Sequence, residues 1–267
     1  MSTKFKSFLV VAITCIIFIW ILPTLGFLPR VGDYMSNRTL FGVYGTIIAF
    51  IIVNLLVKAD GVGKMEIGLM CERGTFLRFI AGLLIGLVIT GAMIFVLIAF
   101  SDYSLVFNSE INSSKAILGL IGFIPLALME VIIFRGYPFM KLKKVFGLRI
   151  TQVVMAILFA YYHDRTGATL HLQLLGPGIW AFIYGIAAVW SKGIALPTGI
   201  HTAANMVLAV GGTKHGDYAL WNFELGAANI EAAEPRLIMV NHILQISLLV
   251  LGVGLTEWWI RCNNEES

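Results

Sequence analysis

Eight apolar stretches run through the chain, at about 7–28, 39–57, 76–100, 116–140, 149–163, 174–190, 193–211 and 237–260. A bilayer core about 30 Å thick asks for roughly 20 such residues in a helix. No water is present there to satisfy an open backbone, so a segment crosses only as a helix that bonds its own N–H and C=O groups. Composition agrees: 58% of the residues are hydrophobic and 13% charged, against about 25% charge in a soluble domain. The expected fold is all-α, a polytopic membrane helical bundle of about eight transmembrane helices. The fifth stretch has fifteen residues, only about 22 Å of helix. It must tilt, extend through Asp164–Gly167, or end beside a protein-lined cavity.

The formal charge is +4. No basic stripe with interleaved aromatics accompanies it, so nucleic acid is not an expected partner. Loop lysines and arginines account for the sign. With the amino terminus inside, twelve of the 19 basic residues fall on the inner edge, among them Lys58, Lys141, Arg149, Lys192 and Arg261. Six fall outside, including Arg38 and Arg236, and Arg135 lies within a helix. Basic residues concentrate on the cytoplasmic side of membrane proteins. The expectation is thus a multi-pass protein of the cell (plasma) membrane, with both termini cytoplasmic and residues 1–267 forming one integral membrane domain. The first apolar stretch is longer than the roughly 7–15 residues of a secretory signal core, and Pro23 and Phe27 spoil a cleavage site, so an uncleaved span is expected. Cys15, Cys71 and Cys262 are too scattered for a disulfide framework. Gly82 and Gly86 form a GxxxG pair, read as close helix packing within the chain. Trp258 and Trp259 are read as an interfacial anchor.

An ionisable group at mid-membrane costs about 2.5–3.5 kcal/mol, so each one asks for a reason. The fourth stretch contains Glu130 and, five residues on, Arg135. Five helical steps separate their directions by roughly 140°, so each needs its own partner on another helix. The fifth stretch ends with Phe159 and His163 on one face, and the seventh carries His201 and Asn205, again at i, i+4. Counted from Lys141, Arg149 and Lys192 as edge markers, Glu130, His163 and His201 lie at depths of roughly 16, 21 and 14 Å. Three costly groups at one level argue for a shared site. His171 and His242 have no partner at helical spacing and are read as structural. His215 and Asp217 belong to the polar outer loop.

The ordered set Glu-x-x-x-x-Arg-Gly, Phe-x-x-x-His and His-x-x-x-Asn, each on its own apolar stretch, resembles the CPBP family. That family comprises CAAX prenyl proteases of the Rce type and bacterial Abi-like membrane proteins. The likeness covers about 115–211, the expected catalytic core. It implies an intramembrane endopeptidase of glutamic type acting on a membrane-associated peptide or protein. Glu130 and His163 would activate a water, and His201 and Asn205 would donate hydrogen bonds to the oxyanion. Arg135 would hold its helix or a substrate terminus, and Phe159 would pack. One position departs from the family: the second of two adjacent glutamates is Val131 here. A non-catalytic member, such as a bacteriocin immunity or regulatory binding protein, is the alternative that Val131 favours. No cofactor is expected. The rival within catalysis is zinc, since two histidines, a glutamate and a water make a credible shell.

Overall fold

A computed structural model describes residues 3–25, 34–61, 68–69, 72–163, 169–213, 219–225 and 230–263. Ten α-helices appear among them: α1 (Thr3–Leu25), α2 (Tyr34–Asp60), α3 (Thr75–Phe100), α4 (Ser113–Ile121), α5 (Phe123–Arg135), α6 (Tyr137–Tyr162), α7 (Leu170–Gln173), α8 (Ile179–Ser191), α9 (Ala195–Val210) and α10 (Ile230–Asn263). The expected all-α membrane bundle is borne out. Five helical stretches are long and apolar enough to span a bilayer, and Ser7–Phe18 and Ala195–Val210 are shorter apolar helices. The count of eight is therefore not reproduced by length alone.

One difference has a clear cause. The stretch Ser113–Tyr162 is helical over 50 residues, and laid straight it would reach about 75 Å, more than twice the bilayer core. Two glycines break it. At Gly136 a Cβ would lie 2.5 Å from the Ile132 carbonyl oxygen, so only glycine closes α5, and Pro138 starts α6 in the first turn, where its missing N–H costs nothing. Gly147 takes φ 76° and ψ 172° inside α6, a backbone that side chains resist. Lys141, Lys143 and Lys144 lie between the two breaks. The chain then doubles back, since the Phe134 ring meets Phe159 at 5.1 Å and Tyr162 at 5.3 Å.

Small residues set the other close contacts. A Cβ on Gly82 or Gly86 of α3 would sit 2.2 Å from the Leu196 carbonyl or 2.5 Å from the Ile200 carbonyl of α9, and one on Gly199 would sit 2.2 Å from the Phe79 carbonyl. The GxxxG pair thus packs within the chain, as read. Gly42 brings α2 against Leu126 of α5 in the same way, and the Thr46 hydroxyl donates to the Pro125 carbonyl at 2.8 Å. Gln152 ties α6 to α8 and α10 by donating to the Phe182 carbonyl and the Thr256 hydroxyl, both at 3.1 Å.

Polar contacts divide into two edges. On one, Lys141 and the Tyr137 hydroxyl both reach Asp60, Arg149 holds Glu257 at 2.6 and 2.7 Å, and Ile194 donates to the Gly68 carbonyl. On the other, Arg236 meets both Asp102 oxygens at 3.1 Å. Every contact joins residues that the charge distribution assigns to the same side. The second edge also carries an element the sequence did not suggest, a two-stranded antiparallel sheet of β1 (Tyr103–Phe107) and β2 (Trp221–Leu225). His171 and His242, read as structural, meet across α7 and α10 with ring centroids 6.0 Å apart. Trp258 is exposed and lies 6.0 Å from Trp190. Cys15 is buried and free and Cys262 exposed and free. Cys71, the extension through Asp164–Gly167, His215 and Asp217 lie outside the described residues.

Candidate active site

Glu130, His163, His201 and Asn205 come from three helices: α5 supplies the carboxylate, the end of α6 one imidazole, and α9 the other imidazole and the amide. Glu130, His201 and Asn205 are buried. The structure brings the carboxylate to both imidazoles. Oε2 of Glu130 lies 3.6 Å from Nε2 of His201 and 3.9 Å from Nε2 of His163. These spacings exceed a direct hydrogen bond, and they leave the three polar atoms facing one small volume. Asn205 follows His201 by one helical turn on α9 and shares its face.

Local structure fixes each imidazole differently. His163 is the C-cap of α6, and its Nδ1 lies 2.8 Å from the Phe159 carbonyl. A carbonyl can only accept, so Nδ1 carries the proton and Nε2 of the neutral ring keeps its lone pair toward Glu130. His201 is instead held by rings: Tyr184 of α8 stacks on it at 4.6 Å and 22°, and Phe159 approaches edge-on at 5.9 Å. Exposure also separates them. The His163 side chain is 21% exposed and that of His201 6%.

Phe159, read as packing, is the hub of this wall. Its ring meets Phe134, His163, Tyr184 and His201, all edge-on. The third residue of the aromatic layer, Tyr184, was missed by sequence reading; it lies in an apolar stretch where nothing marks one tyrosine as special. Arg135 is also explained. It is buried, as its position in α5 implies, and does not reach an edge. Its guanidinium donates to the Phe134 carbonyl at 2.6 Å and the Ala181 carbonyl of α8 at 3.0 Å, and lies 5.4 Å from the Phe159 ring centre. The expected partner on another helix is thus a carbonyl and an aromatic face. Val131 is buried, 2% exposed.

Among the described residues, no group of three or more His, Cys, Asp and Glu side chains is arranged to hold a metal ion. What the arrangement offers chemically is a buried carboxylate near two imidazoles, with a side-chain amide one helical turn from His201. No curated protein matches the chain. Residues 112–207, which carry all four candidate residues and the three motifs, match the family model described as type II CAAX prenyl endopeptidase Rce1-like, so this part of the chain is similar to that family.

Proposed function

We propose that this chain is an intramembrane endopeptidase that hydrolyses a membrane-associated peptide or protein by water activated at Glu130 and His163. The family points to a CAAX protease-type hydrolase. The finer reading rests on one observation, the Glu130 carboxylate set between two imidazole Nε2 atoms in a buried layer. A water held by Glu130 and by the Nε2 lone pair of His163 attacks the scissile carbonyl carbon, and its proton passes to the Glu–His pair. The more open position of His163 suits the water-holding role. His201 and Asn205 donate to the oxyanion of the tetrahedral intermediate, where a preorganised donor is worth about 3–4 kcal/mol. Collapse breaks the C–N bond, and the stored proton leaves on the amine. Arg135 positions α5 against α8. The catalytic core is assigned to 115–211 within a single membrane domain, in the cell membrane with both termini cytoplasmic.

The test compares membrane peptides from cells that make the wild-type chain and Glu130→Gln at equal membrane abundance. Cleavage products present with the first and absent with the second support the proposal. Identical peptide sets from both reject it. Val131 supports a second reading, a CPBP-like binding protein without turnover, since a valine cannot supply the second carboxylate of the family motif. On that reading a phenotype such as immunity survives in Glu130→Gln.

A further inference from the structure

On the far side of α5 from the Glu130 layer, a cleft of about 460 Å³ opens between α2, α5 and the amino ends of α3 and α9. Its walls are apolar. Ile47, Phe50 and Ile51 of α2 line one side and Leu128 and Ile132 of α5 the other, and the three α2 residues are exposed. Its mouth is charged, with Glu72, Arg78 and Lys192. Glu72 holds Arg78 through both terminal guanidinium nitrogens at 3.3 Å. Lys192 is exposed and has no ion-pair partner among the described residues. It is also the left-handed C-cap of α8, φ 51°, which holds the start of its side chain at the mouth. The cleft therefore combines an apolar trough with one ammonium in excess, on the edge where Lys141 and Arg149 also lie.

This combination selects its occupant. The volume falls within the roughly 300–1,000 Å³ of ligand pockets. An apolar chain without a head would leave Lys192 unanswered. A zwitterionic head would set its own cation beside Arg78 and Lys192. A chain bearing an anionic head satisfies both ends, and anionic lipids are the membrane component that draws juxtamembrane lysines and arginines. We propose that this cleft binds an anionic phospholipid, with one acyl chain between α2 and α5 and its phosphate at Lys192 and Arg78. Leu128 and Ile132 flank Glu130 by two residues on α5, and Ile194 and Ala195 lead into the helix that bears His201. A bound chain braces the helices that carry the site. Binding is read directly, so the proposal stands apart from the protease reading.

The purified full chain in detergent, offered equal amounts of dioleoyl phosphatidylglycerol and dioleoyl phosphatidylcholine, is assayed for retained lipid by native mass spectrometry. The expected result is preferential retention of phosphatidylglycerol. Lys192→Gln should weaken that retention about fivefold, as for loss of one juxtamembrane cation, and Lys192→Arg should restore it. Ile51→Trp, which fills the trough from an exposed position, should lower retention of both lipids. Equal retention of the two lipids by the wild type overturns the proposal. So does a phosphatidylglycerol preference that survives both Lys192→Gln and Ile51→Trp. Displacement by glycerol phosphate alone would mark a site for free phosphate and overturn the lipid.

Discussion

Nδ1 of His163 lies 2.8 Å from the carbonyl oxygen of Phe159, one turn back along α6. That contact decides which nitrogen is left for chemistry, because the carbonyl requires a proton on Nδ1 and turns the Nε2 lone pair toward Glu130. The neutral ring is therefore expected as the Nδ1–H tautomer. Nitrogen shifts of a histidine-labelled sample, assigned by loss of one signal in His163→Gln, read this directly. An Nε2–H signature would remove His163 as an acceptor for water. The same variant should lower turnover about 100- to 10,000-fold, the usual worth of a general base.

Asn205 shares a helical face with His201, and its proposed work is confined to the oxyanion. Asn205→Ala should then lower kcat about 100- to 1,000-fold, or about 2.7–4 kcal/mol, with KM little changed. Loss of affinity without loss of kcat would move Asn205 from the transition state to ground-state binding.

The four candidate residues were legible because polar groups are conspicuous in apolar helices, and helical spacing alone pairs His201 with Asn205. Depth along the helices groups Glu130, His163 and His201, which the structure does bring close, yet the counting rests on an incomplete picture. Counting from Lys141 to Glu130 crosses the break at Gly136, which periodicity could not reveal because α5 and α6 are both helical on either side. The β1–β2 pairing was illegible for another reason. Two five-residue strands more than a hundred residues apart are chosen by long-range contact rather than local pattern. Tyr184 escaped because stacking on His201 is a relation between helices, with no trace in either sequence.

Arg135 is buried and divides its donors between a carbonyl of its own helix and one of α8. A lysine offers one ammonium where the guanidinium offers a fork. Arg135→Lys should therefore destabilise the purified protein by about 1.5–3 kcal/mol, the worth of a hydrogen bond to a charged group. Thermal unfolding in detergent measures it. An unchanged midpoint would mean that the contact to Ala181 contributes nothing to holding α5 on α8.

Zinc catalysis makes an opposite demand on Glu130, His163 and His201, which would have to meet one ion at about 2.0–2.2 Å each. On the water mechanism, a strong zinc chelator followed by desalting leaves the turnover of the purified protein unchanged. Activity that falls with chelation and returns with stoichiometric zinc would replace the glutamic reading.

The position of His201 depends on a contact that has no polar atoms in its side chains. α9 is seated on α3 where Gly82 and Gly86 leave room for the backbone at Leu196 and Ile200, and no other residue can do this: an added Cβ at Gly86 would lie 2.5 Å from the Ile200 carbonyl, one residue before His201. Gly86→Ala should push α9 outward, costing about 1–3 kcal/mol as overpacking does, and it should lower activity more than that loss of stability alone predicts, because Nε2 of His201 would leave its place 3.6 Å from Glu130. Gly91 supplies the control on the same helix, since a Cβ there meets nothing within 4 Å. Gly91→Ala should keep activity and gain slightly in stability from a better helix former. Unfolding midpoints and turnover of the two variants, measured side by side, separate a seated helix from a tolerant one. A GxxxG pair serving a dimer would give a different outcome, with Gly86→Ala changing the oligomeric state while each monomer stays active and stable.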